Sequence, residues 1–534
     1  MSRRSALAIP LLAGFAVVAA LILAAVLRLT GLAERPMHLD ESIQAYKFGE
    51  LLETGAYVYD PSDFHGPVLL YSTFPAAWLG GAATFPDLDE VLLRSVPAAY
   101  GIALVLLVAL SGRALGLSAP LAALLLAVST PFVYYSRYYI MELPLVFLLA
   151  AALWCLHAYL RRPGPLPAAT FGIIGGLVHA TKETGAISFL AIAVALVTLT
   201  LLQKARGEPI LPKGVRPVHL ILALVCGLAF SALLFSAGLQ HLPAIPDSIR
   251  TYFSYLQGRP GGEEHHKPFH YYLHVLVWTR QEGVIWTELL TLLFAVAGAV
   301  LCWTPGAVRS SSAGSAACWR FLTLYAAVSA LIYSAIPYKT PWTLLSWYFP
   351  VLLLAAYGAL ALVALVSQAG RSLGLAAALV VAALLSLGQA RELRQTHRAI
   401  TRYAADNRNP WVYGHTTSNL LRLIDRVDIY SRLHPSGKAL PIRVYDAEGW
   451  PLPWYFRRYS DVLYSATVPD QPSAGDLVIV TTTEEDLFRP FVETSHTVDN
   501  YYGLRHDYLV TLFVENGLWD RFLTSMTSPP PSGR

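Results

Sequence analysis

The stretch PVLLYSTFPAAWL, Pro67 to Leu79, decides the fold. It is apolar, but at about 13 residues it falls short of the roughly 20 that cross a bilayer as a helix. The expectation is a helix lying in the interface. Read as a span, it would invert every loop that follows. Read as interfacial, it leaves about eleven spanning runs. These start near Ala6, Val91, Ser118, Ile140, Ala168, Ala186, Pro217, Val284, Phe321, Trp342 and Leu373.

The cations of the short loops test that count. With Arg3 and Arg4 placed inside, one set of loops carries Arg113, Arg161, Arg162, Lys204, Arg206, Lys213, Arg216, Arg309, Arg320 and Arg371. All fall on the side of the N-terminus. Composition agrees with a membrane bundle: 55% of the 534 residues are hydrophobic and 14% charged, against about 25% charged in a soluble chain. The formal charge of +4 is small, and the basic residues do not cluster as a nucleic-acid-binding face requires. Cys155, Cys226, Cys302 and Cys318 lack metal-ligand spacing and read as buried small hydrophobes. The run from Ala6 to Leu27 follows a basic start but exceeds the 7–15 residues of a signal-peptide core, which predicts a retained anchor.

Two regions follow: a transmembrane region 1–390 and an extracytoplasmic soluble domain 391–534. The outer side also receives the loops 30–90 and 240–283. Ser42 to Thr54 in the first loop reads as an amphipathic helix. In the soluble domain, Trp411–Tyr413, Ile442–Tyr445 and Leu477–Val480 are strand-like, while Ser418–Arg426 and Glu484–Arg489 are helix-like. That alternation predicts a small α/β sandwich. The domain has no glycine-rich phosphate loop, and the chain shows no internal repeat.

Charged residues beside spans are costly and therefore mark candidate sites. Met37-His38-Leu39-Asp40-Glu41 follows the first span. A carboxylate there suits a general base toward an acceptor hydroxyl, with its neighbour for orientation or a metal. The plainer alternative has Asp40 capping a helix that starts at Glu41. In Asp63-Phe64-His65-Gly66-Pro67, His65 suits substrate phosphate or orientation of Asp40, and Gly66-Pro67 equally makes a turn. Arg137 stands among tyrosines 134, 135, 138 and 139, with Glu142 close behind. The tyrosines fit an interfacial belt; the guanidinium suits a lipid phosphate. Lys182-Glu183 is either a neutralised pair or a phosphate contact. Glu263-Glu264-His265-His266-Lys267 lacks metal-site spacing and reads as a solvated loop. Tyr338-Lys339-Thr340-Pro341-Trp342 adds a third outer cation between aromatics. Arg137, Lys182 and Lys339 run against the positive-inside trend, so an anionic ligand, a lipid phosphate, accounts for them better than topology does.

In order along the chain, His38-Leu39-Asp40-Glu41, His65-Gly66-Pro67, Ser136-Arg137, Thr181-Lys182 and Lys339-Thr340-Pro341-Trp342 resemble the GT-C superfamily of lipid-linked-sugar glycosyltransferases. Its members include the protein O-mannosyltransferases and the lipid A aminoarabinose transferases. With Trp450-Pro451-Leu452-Pro453-Trp454-Tyr455, the likeness is nearest to an archaeal and bacterial subfamily named for association with flippase activity. It spans nearly the whole chain. The resemblance implies a GT-C-like membrane all-α bundle and a polyprenyl-phosphate-linked sugar donor. It implies transfer with inversion at the outer face of the plasma membrane, to a lipid, glycan or protein acceptor. Asp40 would be the catalytic base with Glu41 beside it. Arg137, Lys182 and Lys339 would hold donor phosphate, and His65, Glu142, His266, Tyr338 and Trp342 would contact substrate. No cofactor and no metal is expected, because the metal-binding acids of the oligosaccharyltransferase branch have no match. The soluble domain differs from the β-trefoil of the O-mannosyltransferases. Its Trp-Pro cluster fits either a core or a membrane-facing patch. Two rivals remain at this point: a lipid-linked-sugar flippase or transporter, and a non-catalytic accessory factor of glycan assembly.

Overall fold

The computed structural model describes residues 3–62, 65–208, 214–257, 265–304, 315–447, 449–473 and 475–527. Asp63, Lys213, Glu263, Glu264 and Arg309, named above, lie outside them.

Eight of the eleven predicted runs are helices long and apolar enough to span. They are α1 (Arg3–Leu29), α4 (Glu90–Leu110), α7 (Glu142–Arg161), α9 (Gly185–Ala205), α10 (Pro217–Phe235), α14 (Ala316–Ala335), α15 (Leu345–Ser367) and α16 (Arg371–Ile400). Between them lie α2 (Leu39–Thr54) and α3 (Val68–Gly80). Helix α3 has the 13 residues expected of the interfacial segment.

The other three runs are shorter helices: α5 (Ser118–Val128), α8 (Pro165–His179) and α13 (Leu289–Leu301). Helix α5 breaks at Ser129 and resumes as α6 (Thr130–Tyr135), with Pro131 in its first turn. Glycine lets α8 and α13 press into the bundle. A Cβ on Gly172 would meet the carbonyl of Ala223, and one on Gly176 the carbonyl of Gly227, so α8 lies backbone to backbone on α10. Gly298 and Gly358 do the same between α13 and α15, against Leu354 and Phe294 carbonyls. Helix α13 also begins later than the run predicted from Val284. After α11 (Ala244–Gln257) and α12 (Tyr271–Val277), the chain makes a hairpin of β1 (Thr279–Gln281) and β2 (Val284–Trp286). Glu282 and Gly283 both take positive φ at its two-residue turn, which matches the twist of paired strands.

The chain divides into two compact units. The first comprises Met1–Leu32, Gly55–Ala76 and Val91–Tyr413, and holds the bundle. The second comprises Ala33–Thr54, Ala77–Glu90 and Gly414–Arg534. It therefore takes in α2 and the 77–90 segment, and begins some twenty residues after the expected boundary.

In the second unit a five-stranded sheet has the order β4-β3-β5-β7-β6, built from β3 (Ile442–Tyr445), β4 (Val462–Ser465), β5 (Leu477–Thr481), β6 (His496–Arg505) and β7 (Tyr508–Glu515). Strand β3 runs parallel to β4 and β5, and β7 antiparallel to β5 and β6. Successive side chains leave opposite faces. Ile442, Val444, Ile479 and Leu512 pack with Leu423 and Val427 of α17 (Asn419–Leu433) and with Leu518 of α19 (Asn516–Thr527). Tyr445, Val478, Val480 and Phe513 pack with Phe488 and Val492 of α18 (Glu485–Val492). This is the expected α/β sandwich. Trp411–Tyr413 is not a strand of it.

The Trp450–Tyr455 cluster holds the early segments of the same unit. Trp454 is buried, its Nε1 donates to Glu90 at 2.8 Å, and its ring meets Phe85 edge-on at 5.9 Å. The Arg457 guanidinium stacks over it at 3.6 Å and donates to the Leu88 carbonyl. Gly49 of α2 lies against the Phe85 ring with no room for a Cβ. The core role thus accounts for Trp454.

Candidate active site

Helix α2 starts two residues earlier than a cap at Asp40 would place it. Its first backbone bond runs from the Ser42 N–H to the His38 carbonyl at 3.0 Å, which makes His38 the N-cap. The cap is reciprocal. His38 Nδ1 accepts from the Asp40 N–H at 3.1 Å, and Glu41 Oε2 accepts from the His38 N–H at 2.9 Å. This is a capping box with an imidazole in place of the usual hydroxyl. It assigns the ring proton to Nε2. Glu41 Oε2 also takes a 2.7 Å ion pair from Arg35. Glu41 is fully buried and Arg35 nearly so.

The two adjacent carboxylates therefore differ in kind. Glu41 is engaged in holding the turn. Asp40 is half-buried, and no side chain among the described residues bonds its carboxylate. The Met37 backbone, just ahead, is held by the Tyr455 hydroxyl at 2.9 Å and the Thr416 hydroxyl at 2.6 Å. The loop in front of Asp40 is fixed on both sides. Near it, burial, with His38 and Arg35 nearby, pushes His415 well below the usual imidazole range.

The other predicted residues lie in the first unit. Lys182 is buried and pairs with Glu142, so cation and acid neutralise each other. His65 pairs through Nδ1 with Glu183 at 2.9 Å, and its N–H donates to the same carboxylate at 2.6 Å. Burial pushes the Glu183 carboxyl up, but the His65 charge and hydrogen bonds outweigh it and hold it at about 2. The Gly66 and Val68 N–H groups bond the Thr181 and Ala180 carbonyls, and a Cβ on Gly66 would strike the Ala180 carbonyl. His65 thus orients the 180–183 turn.

Arg137 meets backbone carbonyls. Its Nη1 donates to the Leu27 and Thr30 carbonyls at 3.1 and 2.6 Å, and Nη2 to Gly31 at 2.8 Å. These are orphan acceptors at the end of α1, where a cation also meets the negative end of the helix dipole. Arg137 is a helix cap.

Lys339 is likewise held by backbone carbonyls. It is 1% exposed. Its Nζ donates to the Ile336 carbonyl at 2.5 Å and the Lys267 carbonyl at 3.1 Å. No carboxylate pairs with it among the described residues. Burial pushes its ammonium pKa down. The Lys339 N–H also bonds the His265 carbonyl at 2.9 Å, and Tyr338 bridges His266, so residues 265–267 form a short ladder with 338–339. His266 itself is exposed. Tyr338 lies over the His265 ring at 4.5 Å, and buried Trp342 sits edge-on between Tyr135 and Tyr413.

Several buried charged groups escaped sequence reasoning. Arg28 donates to Ser136 and to the Ala127 and Leu126 carbonyls. Arg94 donates to the Leu32 carbonyl. Glu288 and Glu392 share Gln395, with Tyr348 and Thr130 as further donors. Only their position inside or beside apolar runs marked them. Among the described residues no group of three or more His, Cys, Asp or Glu is placed to hold a metal ion.

Compared with solved structures, the chain is similar to ArnT from Cupriavidus metallidurans bound to undecaprenyl phosphate, with a TM-score of 0.63 at 15% identity, covering 94% of this chain and 98% of that one. The chain has the GT-C fold. The apo state of the same ArnT gives 0.59 at 14% identity, over the same shares of both chains. The protein O-mannosyltransferase Pmt1-Pmt2 complex of S. cerevisiae bound to the sugar donor gives 0.32 at 21% identity, over 48% of this chain and 36% of that one. A model of the dolichyl-phosphate-mannose-protein mannosyltransferase family matches residues 18–239. No curated protein matches. The matched segment carries Asp40, His65, Arg137, Glu142 and Lys182, while Lys339 lies beyond it.

Proposed function

We propose that this chain is a membrane glycosyltransferase that moves a sugar from a polyprenyl-phosphate-linked donor to an acceptor hydroxyl at the outer membrane face. The GT-C fold and the family match support a lipid-linked donor. The ArnT structure similar to this chain is bound to undecaprenyl phosphate. One observation carries the chemistry: Glu41 is taken up by the capping box and Arg35, which leaves the Asp40 carboxylate half-exposed and unbonded by any described side chain.

In the proposed reaction Asp40 takes the proton of the acceptor hydroxyl as that oxygen attacks the anomeric carbon. The bond from anomeric carbon to phosphate oxygen breaks, and the polyprenyl phosphate leaves with the electron pair. The anomeric configuration inverts. Lys339 is the cation assigned to the departing phosphate, because a buried ammonium held only by carbonyls gains most from an anion. Lys182 serves through its pair with Glu142, and His65 positions that turn through Glu183. Tyr338, Trp342 and His266 are the remaining candidates for substrate contact. The basic loops support placing the sheet-containing unit outside the plasma membrane.

The test is incubation of the purified chain with a panel of polyprenyl-phosphate sugars. Loss of sugar from one donor, with an inverted product, supports the reading. Neither binding nor consumption of any donor overturns it. Movement of intact donor across a vesicle bilayer without consumption points to the transporter instead.

A further inference from the structure

Helix α16 changes character near its end. Leu373 to Leu387 is apolar, and then Arg391, Arg394 and Arg398 recur at spacings that keep them on one face, with Arg402 in the turn just past the helix end. Three of them, Arg391, Arg398 and Arg402, line a cavity of about 790 Å³. Its opposite wall is apolar: Trp278, Ile285, Leu289, Leu290 and Leu293. Leu293 is 58% and Trp278 49% exposed. Arg391 spends one hydrogen bond on the Thr287 carbonyl at 3.0 Å. None of the three guanidinium groups forms a close ion pair among the described residues, although Arg391 lies near Glu288 and Glu392 and Arg402 near Asp406.

A second cavity of about 220 Å³ shares Thr287, Leu290 and Arg391 with the first. It runs between α13 and α16 along Leu384, Leu387, Gly388 and Phe294. Glu288 and Glu392 at its border are occupied by Tyr348, Thr130 and Gln395. Gly388 keeps it open, since a Cβ there would meet Leu290.

We propose that these joined cavities bind an acidic glycerophospholipid. Its phosphate sits among Arg391, Arg398 and Arg402, and an acyl chain lies in the crevice beside Gly388. The pairing of cations with a continuous apolar slot selects this occupant over a free anion, which leaves the slot empty, and over a zwitterionic lipid, whose choline repels the arginines. The cations begin where the apolar stretch of α16 ends, at headgroup level. The proposal does not rest on glycosyl transfer.

The test is native mass spectrometry of the full chain purified with equimolar phosphatidylglycerol and phosphatidylcholine. The wild-type chain retains phosphatidylglycerol preferentially. The exposed-residue variant R398Q/R402Q lowers that retention by about tenfold. G388L, with the arginines intact, lowers it too. Melting temperatures equal to wild type show that both variants fold. Equal retention of the two lipids by wild type, or retention unchanged in either variant, overturns the proposal. So does displacement by inorganic phosphate, which marks an anion site only. Displacement by undecaprenyl phosphate assigns the cavity to a polyprenyl carrier and overturns it as well.

Discussion

Changing Glu41 to Gln separates the structural acid from the chemical one. The carboxylate accepts two charge-assisted bonds, from Arg35 at 2.7 Å and the His38 N–H at 2.9 Å, in full burial. Glutamine keeps an oxygen for the His38 N–H but loses the charge opposite Arg35. Removing one partner of a buried ion pair costs about 3–5 kcal/mol, and the surviving cap bond favours the lower end, about 3 kcal/mol. For a unit of roughly 150 residues each kcal/mol lowers the melting temperature by about 2–4 °C, so the second unit should melt about 6–12 °C lower. Hydrogen exchange over residues 33–54 in detergent reads this directly. The double variant R35M/E41L should recover part of the loss, since no charge is then left buried alone. A Glu41→Gln chain that melts within about 1 °C of wild type, with unchanged protection in α2, refutes the assignment of Glu41 to the turn.

Three other predictions follow from the same geometry. Lys339→Met should weaken donor binding by roughly 30-fold, about 2 kcal/mol for a charge-assisted contact, with little change in melting; equal donor affinity contradicts its role. The folded-state pKa of His415 lies well below the unfolded value, so the unfolded chain binds the extra proton at low pH. Stability of the second unit should then be flat above about pH 6.5 and fall as pH drops below it, a slope that His415→Phe removes. Gly358→Val should cost about 1–3 kcal/mol by forcing α13 and α15 apart, read as a lower melting temperature; wild-type melting denies the backbone contact with Phe294.

Much of this fold was legible. The short helix expected over Pro67–Leu79 matches α3 in extent, and all eleven apolar runs contain a helix. Three helices came out short: α5 because it breaks at Ser129, the other two for a reason that run length hides. Helices α8 and α13 are 15 and 13 residues long and are held by glycine contacts to α10 and α15. Such contacts depend on which glycines face each other across the bundle. The β6-β7 hairpin was missed, because its register shifts at Val498/Asn500 and Gly503/Arg505 interrupt the period-two pattern. At the site, the residue types were visible but their division of labour was not. Adjacent Asp40 and Glu41 look equivalent in sequence; an N-cap two residues further upstream, at His38, gives Glu41 the turn and leaves the Asp40 carboxylate out of it. Arg137 and Lys339 look equivalent as outer cations. The carbonyls at the end of α1 hold the first, and the Ile336 and Lys267 carbonyls hold the second.

We propose Asp40 as the base of a sugar transfer. The most direct test is the transfer rate of Asp40→Asn beside wild type, with the same polyprenyl-phosphate donor and with melting temperature and donor binding measured on both. The expected result is a rate lowered by about 10²–10⁴-fold, with melting and donor affinity unchanged; a wild-type rate in Asp40→Asn shows that Asp40 is not the base.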